Sequence, residues 1–182
     1  MEFKKVAVAL ALSAGLASFG LQAATNPGSP SDTTSSGDFD ITLYNSTQIQ
    51  IYGLDDVEIV DTGTADATGT TPVCVAANVD NFNISMSSTS AFNLTNAGGA
   101  SNIPYTLTLQ DSGGTAIADG VWGVGQNSNG EQSSTDLART TGNFADVASG
   151  CSGSYSILVT PDYTGAADGL YADTVTVEVA PI

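Results

Sequence analysis

Seven short segments of this 182-residue chain alternate apolar and polar side chains with a period of two. In one of them Val175, Val177 and Val179 are separated by Thr176 and Glu178. Such alternation, with β-branched or aromatic residues at every second position, is typical of half-buried β-strands. The segments lie at 38–44, 48–52, 57–59, 82–87, 105–110, 155–160 and 174–179.

Turn-forming clusters such as 111–114 and 150–153 separate the segments, and 20 glycines leave little material for helices. Short strands at this spacing predict a single all-β domain over residues 38–182, an antiparallel β-sandwich of immunoglobulin-like type. Residues 125–150 have no clean period. They predict a long loop with one helical turn around Ser134–Ala138.

The N-terminus has the pattern of a secretory signal peptide over residues 1–23. A short basic start with Lys4 and Lys5 precedes an apolar run of about 16 residues, and Ala23 offers a small residue at the cut. The alternative is a membrane anchor, for which the run is shorter than the ~20 residues that span a bilayer. Residues 24–37 are rich in Ser, Thr, Gly and Pro and predict a flexible leader. No later segment is apolar enough to span a membrane.

Charge excludes several functions. Removal of residues 1–23 would leave 18 acidic residues, one Arg (Arg139), no Lys and no His, a formal charge of −17. Nucleic-acid binding needs clustered cations, and His-based catalysis, His metal sites and Lys Schiff bases need residues that are absent. No carboxylate pair stands out as a glycoside-hydrolysing site. The sequence therefore predicts no enzyme and no cofactor.

Two cysteines, Cys74 and Cys151, are predicted to form a disulfide, because a lone pair in an exported domain usually closes on itself. In the chain-entropy description a loop of this length is worth about 4.5 kcal/mol. The alternative is a free reactive thiol, but no His or Lys is present to lower its pKa.

Two further features allow a binding role. Asp55, Asp56 and Asp61 are weak candidates for oxygen ligands of Ca²⁺, although they lack calcium-loop spacing and are typical of a turn. Trp122, the sole Trp, is either a core residue or a platform for sugar stacking.

Three stretches resemble one protein family. The first is 49–59, and the second starts at Val73 and runs through residues 82–86 and 92–94 to 103–107. The third runs from Cys151 to residue 182, and it includes Gly-x-Tyr-x-Asp-Thr over residues 169–174 followed by the three alternating valines. Together they are similar to spore-coat-U-type domains, the pilin subunits of the archaic chaperone–usher class. Those domains often place a Cys early, followed by Phe-Gly, where this chain has Gly53 to Asp56, so the chain resembles a divergent member.

The resemblance implies an immunoglobulin-like fold that lacks one strand, which a neighbour's N-terminal segment supplies by strand addition. It makes residues 38–45 the candidate donor strand, with Phe39, Ile41 and Leu43 as its apolar side chains. It makes the last strand the border of the acceptor groove, with Tyr171, Asp173, Val175, Val177 and Val179. Alternatively, Phe39–Leu43 is an ordinary first strand of its own domain.

The expected function is a structural subunit of a surface fibre serving adhesion or biofilm formation. The expected partners are copies of itself or related pilin subunits, a periplasmic chaperone and an outer-membrane usher, and the route leads through the periplasm to the cell surface or to secretion. The alternative is a self-complete secreted module that binds calcium or glycan.

Overall fold

A computed structural model of the chain describes residues 33–36, 39–61, 67–96, 102–131, 136–151, 153–164 and 166–182. The chain divides into two compact units, Met1–Asn45 and Ser46–Ile182. The predicted signal peptide 1–23 lies outside the described residues, as does most of the predicted leader 24–37. Within the described part no helix has the length and apolar character needed to cross a membrane.

The second unit is built from antiparallel β-strands, as the alternating segments predict. Their bounds are β1 Ile49–Tyr52, β2 Gly69–Ala77, β3 Asn81–Ser88, β4 Asn93–Asn96, β5 Asn102–Asp111, β6 Ala116–Gly123, β7 Leu137–Ala138, β8 Tyr155–Pro161, β9 Tyr171–Ala172 and β10 Val175–Pro181. A 3₁₀-helix spans Phe144–Ser149 and is capped by the Asn143 side chain, which accepts a hydrogen bond from the Ala145 amide at 3.1 Å.

The strands form two sheets. One has the order β1-β2-β8-β5-β4-β9, with β6 also paired to β5, and the other has the order β10-β3-β7. Every pairing between these strands is antiparallel. The predicted all-β sandwich is confirmed.

The core lies between the two sheets and is made mainly of side chains from the inward faces of β2, β3, β5, β6 and β8, with Phe92 and Leu137 added. Its fully buried members include Phe82, Ile84, Met86, Leu107 and Trp122. Alternation on β5 is regular: Ile103, Tyr105, Leu107 and Leu109 are buried and the residues between them are half-buried. This is the period that a strand with one face on a core must show.

The Cys74–Cys151 disulfide is present, with 5.6 Å between the two Cα atoms, and it joins β2 to the chain just after the 3₁₀-helix. Gly53, the residue that follows β1, lies directly over it. A Cβ built on Gly53 would stand 2.3 Å from the Cys151 Cβ, and the φ of Gly53 is +88°. Only glycine satisfies both conditions without strain or a clash.

Two local predictions are wrong. No strand forms over 57–59. The described residues 39–44 form no strand within their own chain, which contradicts the interpretation of Phe39–Leu43 as an ordinary first strand, and their role as a donor stays a prediction. The helical turn expected around Ser134–Ala138 is not there in the described residues of that stretch, because Leu137–Ala138 pairs with β3 as β7. The helical segment occurs later, at Phe144–Ser149, where the Asn143 side chain caps the first turn.

Candidate functional site

The last strand, β10, has one unpaired edge. It pairs with β3 from Val175↔Ser88 to Pro181↔Phe82, and no strand in the described residues pairs with its other side. The strand order explains which position is open. In an immunoglobulin sandwich the sheets are ABED and CFG. Here β1, β2, β8 and β5 stand in the order ABED, and β3 and β10 correspond to C and F. In the described part of the chain, position G beside β10 is empty.

The backbone groups at this open edge can be identified from the hydrogen-bond pattern. The Thr174 carbonyl accepts from the Thr89 amide at 3.0 Å, and the Ile182 amide donates to the Asn81 carbonyl at 3.2 Å, so even-numbered residues face β3. Because alternate residues of an edge strand face opposite sides, the N–H and C=O groups of Val175, Val177 and Val179 face the open edge. An exposed row of this kind is a template for another strand.

A groove of about 800 Å³ lies beside the open edge, between the two sheets. The seven-stranded sheet contributes mainly apolar side chains, and β10 contributes Val175 and Val177. The side chains from β5 and β8 are Ile103, Tyr105, Leu107, Ile157, Val159 and Pro161. The loop after β8 adds Leu170, which is 88% exposed. The groove therefore leads from the unpaired edge down to the buried core.

Segment Leu54–Asp61 lines the groove along with β10. Val57 and Ile59 are half-buried and pack on Gly69, where an added Cβ would come within 2.3 Å of Val57 Cγ1. Near its start the Asp55 amide donates to the Thr71 hydroxyl at 2.8 Å. The segment keeps the period-two pattern of a strand without belonging to either sheet.

Asp173 fixes the end of the groove at which β10 begins. Its carboxylate accepts hydrogen bonds from the hydroxyl of Ser88, from the Thr89 hydroxyl at 2.6 Å and from the Tyr105 hydroxyl at 2.7 Å. The Ser90 amide at 3.2 Å and the Thr174 amide at 2.8 Å complete the set. One side chain thus joins the end of β3 to β5 and to the start of β10.

The ionisation of this cluster follows from these contacts. Burial opposes ionisation of Asp173 and is the largest influence, but hydrogen bonds from Ser88, Thr89, Tyr105 and the Thr174 amide together lower its pKa below the ordinary value. Burial raises the pKa of Tyr105; a bond with Ser88 partly offsets this, and the Asp173 carboxylate adds to it. The carboxylate is therefore an acceptor at neutral pH, and the phenol remains its donor.

The residues predicted for the acceptor groove lie as follows. Tyr171, Asp173, Val175 and Val177 line it, whereas Val179 is half-buried further along β10. The predicted donor residues Phe39, Ile41 and Leu43 belong to the unit Met1–Asn45 and are 72%, 84% and 88% exposed. Sequence reasoning missed Tyr105 and Leu107 as groove residues, although the alternation of β5 marked them as inward-facing.

The candidate binding residues outside β10 lie in different settings. Asp55, Asp56 and Asp61 line the groove, but among the described residues no three His, Cys, Asp or Glu side chains come together in a way that could hold a metal ion. Trp122 is fully buried, and its ring N–H donates to the Glu131 carbonyl at 2.8 Å. A buried indole with its polar atom satisfied is a core residue and offers no face to a sugar.

Negative charge is concentrated at the groove. Among the described residues, six acidic side chains line it: Asp55, Asp56, Glu58, Asp61, Asp168 and Asp173. Arg139 is not among its lining residues. It binds elsewhere, donating to the carbonyls of Ala77 and Val79 and pairing with Asp80 at 3.0 Å.

No protein-family model and no curated protein matches this sequence. Among solved structures the chain is similar to one described as "Chaperone-tip adhesin complex is vital for synergistic activation of CFA/I fimbriae biogenesis". The two share 17% sequence identity with a TM-score of 0.44, over 74% of this chain and 42% of that one. The chain thus spans less than half the length of the protein it matches.

Proposed function

We propose that this chain is a non-enzymatic subunit of a surface fibre, a pilus, in which residues 38–45 of one copy insert beside β10 of the next. The observation that carries the proposal is the unpaired edge of β10 next to a groove of about 800 Å³, to which β5 and β8 contribute mainly apolar side chains. Strand addition to an exposed sheet edge gives affinity through main-chain hydrogen bonds and specificity through alternate side chains.

The donor and the edge match in length and period. The edge presents the backbone groups of Val175, Val177 and Val179 and then reaches Pro181, which has no N–H to offer. The segment 38–45 carries three alternating apolar side chains, Phe39, Ile41 and Leu43, which are exposed before insertion. Burying each contributes about 1.5–3 kcal/mol, in addition to the backbone pairing.

The same groove supports the proposed partners, and the disulfide supports the proposed route. An unfilled apolar edge is an aggregation hazard, so a periplasmic chaperone would cover it until an outer-membrane usher brings subunits together. The Cys74–Cys151 disulfide suits an oxidising compartment, which supports export through the inner membrane to the periplasm and then the surface. The resemblance to spore-coat-U-type domains supports a role of the fibre in adhesion or biofilm formation.

The proposal is tested by expressing the full chain for export and running it unboiled in SDS. Strand-exchanged subunits give a ladder of multimers, which should vanish when Phe39→Ser, Ile41→Ser and Leu43→Ser are combined. Val124→Ser is the matched control, because Val124 is also exposed, at 64%, but does not line the groove. A ladder that persists in the triple variant would show that these residues are not the donor. A monomer whose melting temperature rises with calcium would favour the binding-module alternative.

A further inference from the structure

We infer that the groove selects the inserted strand by its charge. A strand of another protein that carries Lys or Arg between its apolar residues should bind more tightly than the chain's own segment 38–45. This inference rests on the proposed function, because it concerns what occupies the same groove. It is supported by the charge of the outward-facing side chains on the two segments that flank an inserted strand.

One flank is the outer face of β10. Its inward residues Val175 and Val177 are half-buried, whereas Thr174, Thr176 and Glu178 are exposed. A strand paired with the open edge would place its own outward residues beside this row. Directly opposed side chains on one face of a sheet have Cβ atoms about 4.5–5.5 Å apart. Glu178 is therefore within reach of an outward side chain of the inserted strand.

The other flank is the segment Leu54–Asp61. Val57 and Ile59 are half-buried, so Asp56 and Glu58, which alternate with them, are the exposed row. Both line the groove. An inserted strand thus has carboxylates on its outward face from both sides, and Arg139, bound to Asp80, is not among the groove's lining residues.

The chain's own donor carries negative charge on its outward face, whereas these flanks favour positive charge. When Phe39, Ile41 and Leu43 face the core, the alternating positions Asp38, Asp40 and Thr42 face outward. The two carboxylates of the donor then lie between Glu178 on one flank and Asp56 and Glu58 on the other. Like charges opposed across strands are destabilising, and opposite charges are stabilising. A strand with Lys at the two outward positions would therefore bind more tightly.

Salt should act in opposite directions on the two occupants. Exposed charges are screened over about 30 Å at 0.01 M salt and about 3 Å at 1 M. Added salt thus weakens the binding of a cationic strand and strengthens the binding of the chain's own segment. Ionic strength and partner charge together decide which strand holds the groove.

The test uses the full chain with Phe39→Ser, Ile41→Ser and Leu43→Ser, so that its own segment 38–45 does not occupy the groove. Two labelled peptides are titrated by fluorescence anisotropy: residues 38–45 as they stand, and the same peptide with Asp38→Lys and Asp40→Lys. At about 0.01 M salt the lysine peptide should bind roughly threefold to tenfold more tightly, and the difference should vanish near 1 M. The peptides should also compete with each other.

A matched pair of acceptor variants shows whether the flanks are responsible. Glu58→Gln with Glu178→Gln should reduce the preference for the lysine peptide, whereas Asp136→Asn, an exposed carboxylate that does not line the groove, should leave it unchanged. Equal affinity for both peptides at low salt, or a preference that the double variant does not reduce, overturns the inference and leaves the proposed function standing. Failure of both peptides to bind overturns both.

Discussion

The Asp173 carboxylate accepts a hydrogen bond from the Tyr105 hydroxyl at 2.7 Å across 68 residues of sequence. This bond joins the start of β10 to β5 at the end of the groove. Ser88 and Thr89 hold the same carboxylate from the end of β3. Asp173 therefore ties the start of the open edge to both sheets, in addition to the pairing of β10 with β3.

Asp173→Asn should lower the free energy of unfolding by about 2 kcal/mol, because hydrogen bonds to a charged acceptor are worth about 1.5–3 kcal/mol. Since the pKa of Asp173 is lowered in the folded chain, its stabilisation is present above the unfolded value, about 3.9, and is lost as pH falls through the folded pKa. Urea unfolding of both proteins from neutral to acid pH checks this. The two curves should converge in acid, and a constant difference down to the lowest pH would contradict the role of the ionised carboxylate.

Gly53→Ala should destabilise the domain by about 2 kcal/mol or more, because it adds backbone strain at positive φ and a clash with Cys151. The matched control is Gly114→Ala, since Gly114 has a φ of +78° but no atom within 4 Å of an added Cβ. That variant bears only the backbone cost, roughly 1 kcal/mol. Equal losses in the two variants, measured by thermal unfolding, would argue against the close approach of Gly53 to the disulfide.

Removing the disulfide with Cys74→Ala and Cys151→Ala together should cost up to about 4.5 kcal/mol, from the added freedom of the unfolded chain. Urea unfolding of the oxidised protein and of the double variant measures it. Each single variant should lose about as much as the double variant. A double variant as stable as the parent would show that the bond does not restrain the unfolded chain.

Assembly should strengthen with added salt. Residues 24–182 carry 18 acidic residues and one Arg, so copies repel each other and associate through apolar burial and backbone pairing. The fraction of SDS-resistant multimer formed from purified monomer should rise from low to high ionic strength. Assembly that weakens steeply with salt would mean that ion pairs hold the copies together.

Alternation predicted the strands that keep one face on the core, and it failed for identifiable reasons. In β2 the run Val73–Ala77 is buried on both faces, so no polar residue alternates with it. In β6 the positive φ of Asp119 and a register shift opposite Thr108 and Gln110 break the period. At 57–59 the period is kept and no sheet pairing forms, because alternation reports which side chains are buried and not whether a partner strand is present.

The residues of the groove were predictable only where a local sequence pattern marks them. Val175 and Val177 follow from the alternation of the last strand, and Asp173 from the closing motif. The contribution of Tyr105 required knowing that β5 lies across from β10, which is a long-range relationship that local pattern does not contain. The exposed carboxylates of the groove likewise look like ordinary turn residues until the fold brings Asp56 and Glu58 to its rim.

The most direct test of strand exchange mixes two variants of the full chain. One carries Phe39→Ser, Ile41→Ser and Leu43→Ser and keeps its groove; the other carries Val177→Asp, which puts a charge on the groove wall, and keeps its donor. Circular dichroism first establishes that both variants are folded. If Val177→Asp is not folded, Leu170→Asp replaces it, because Leu170 lines the groove and is exposed. Light scattering after size-exclusion chromatography then measures mass. Strand exchange predicts that each variant alone is monomeric and that the mixture forms a one-to-one dimer; a mixture that stays monomeric, or a dimer of either variant alone, would contradict it.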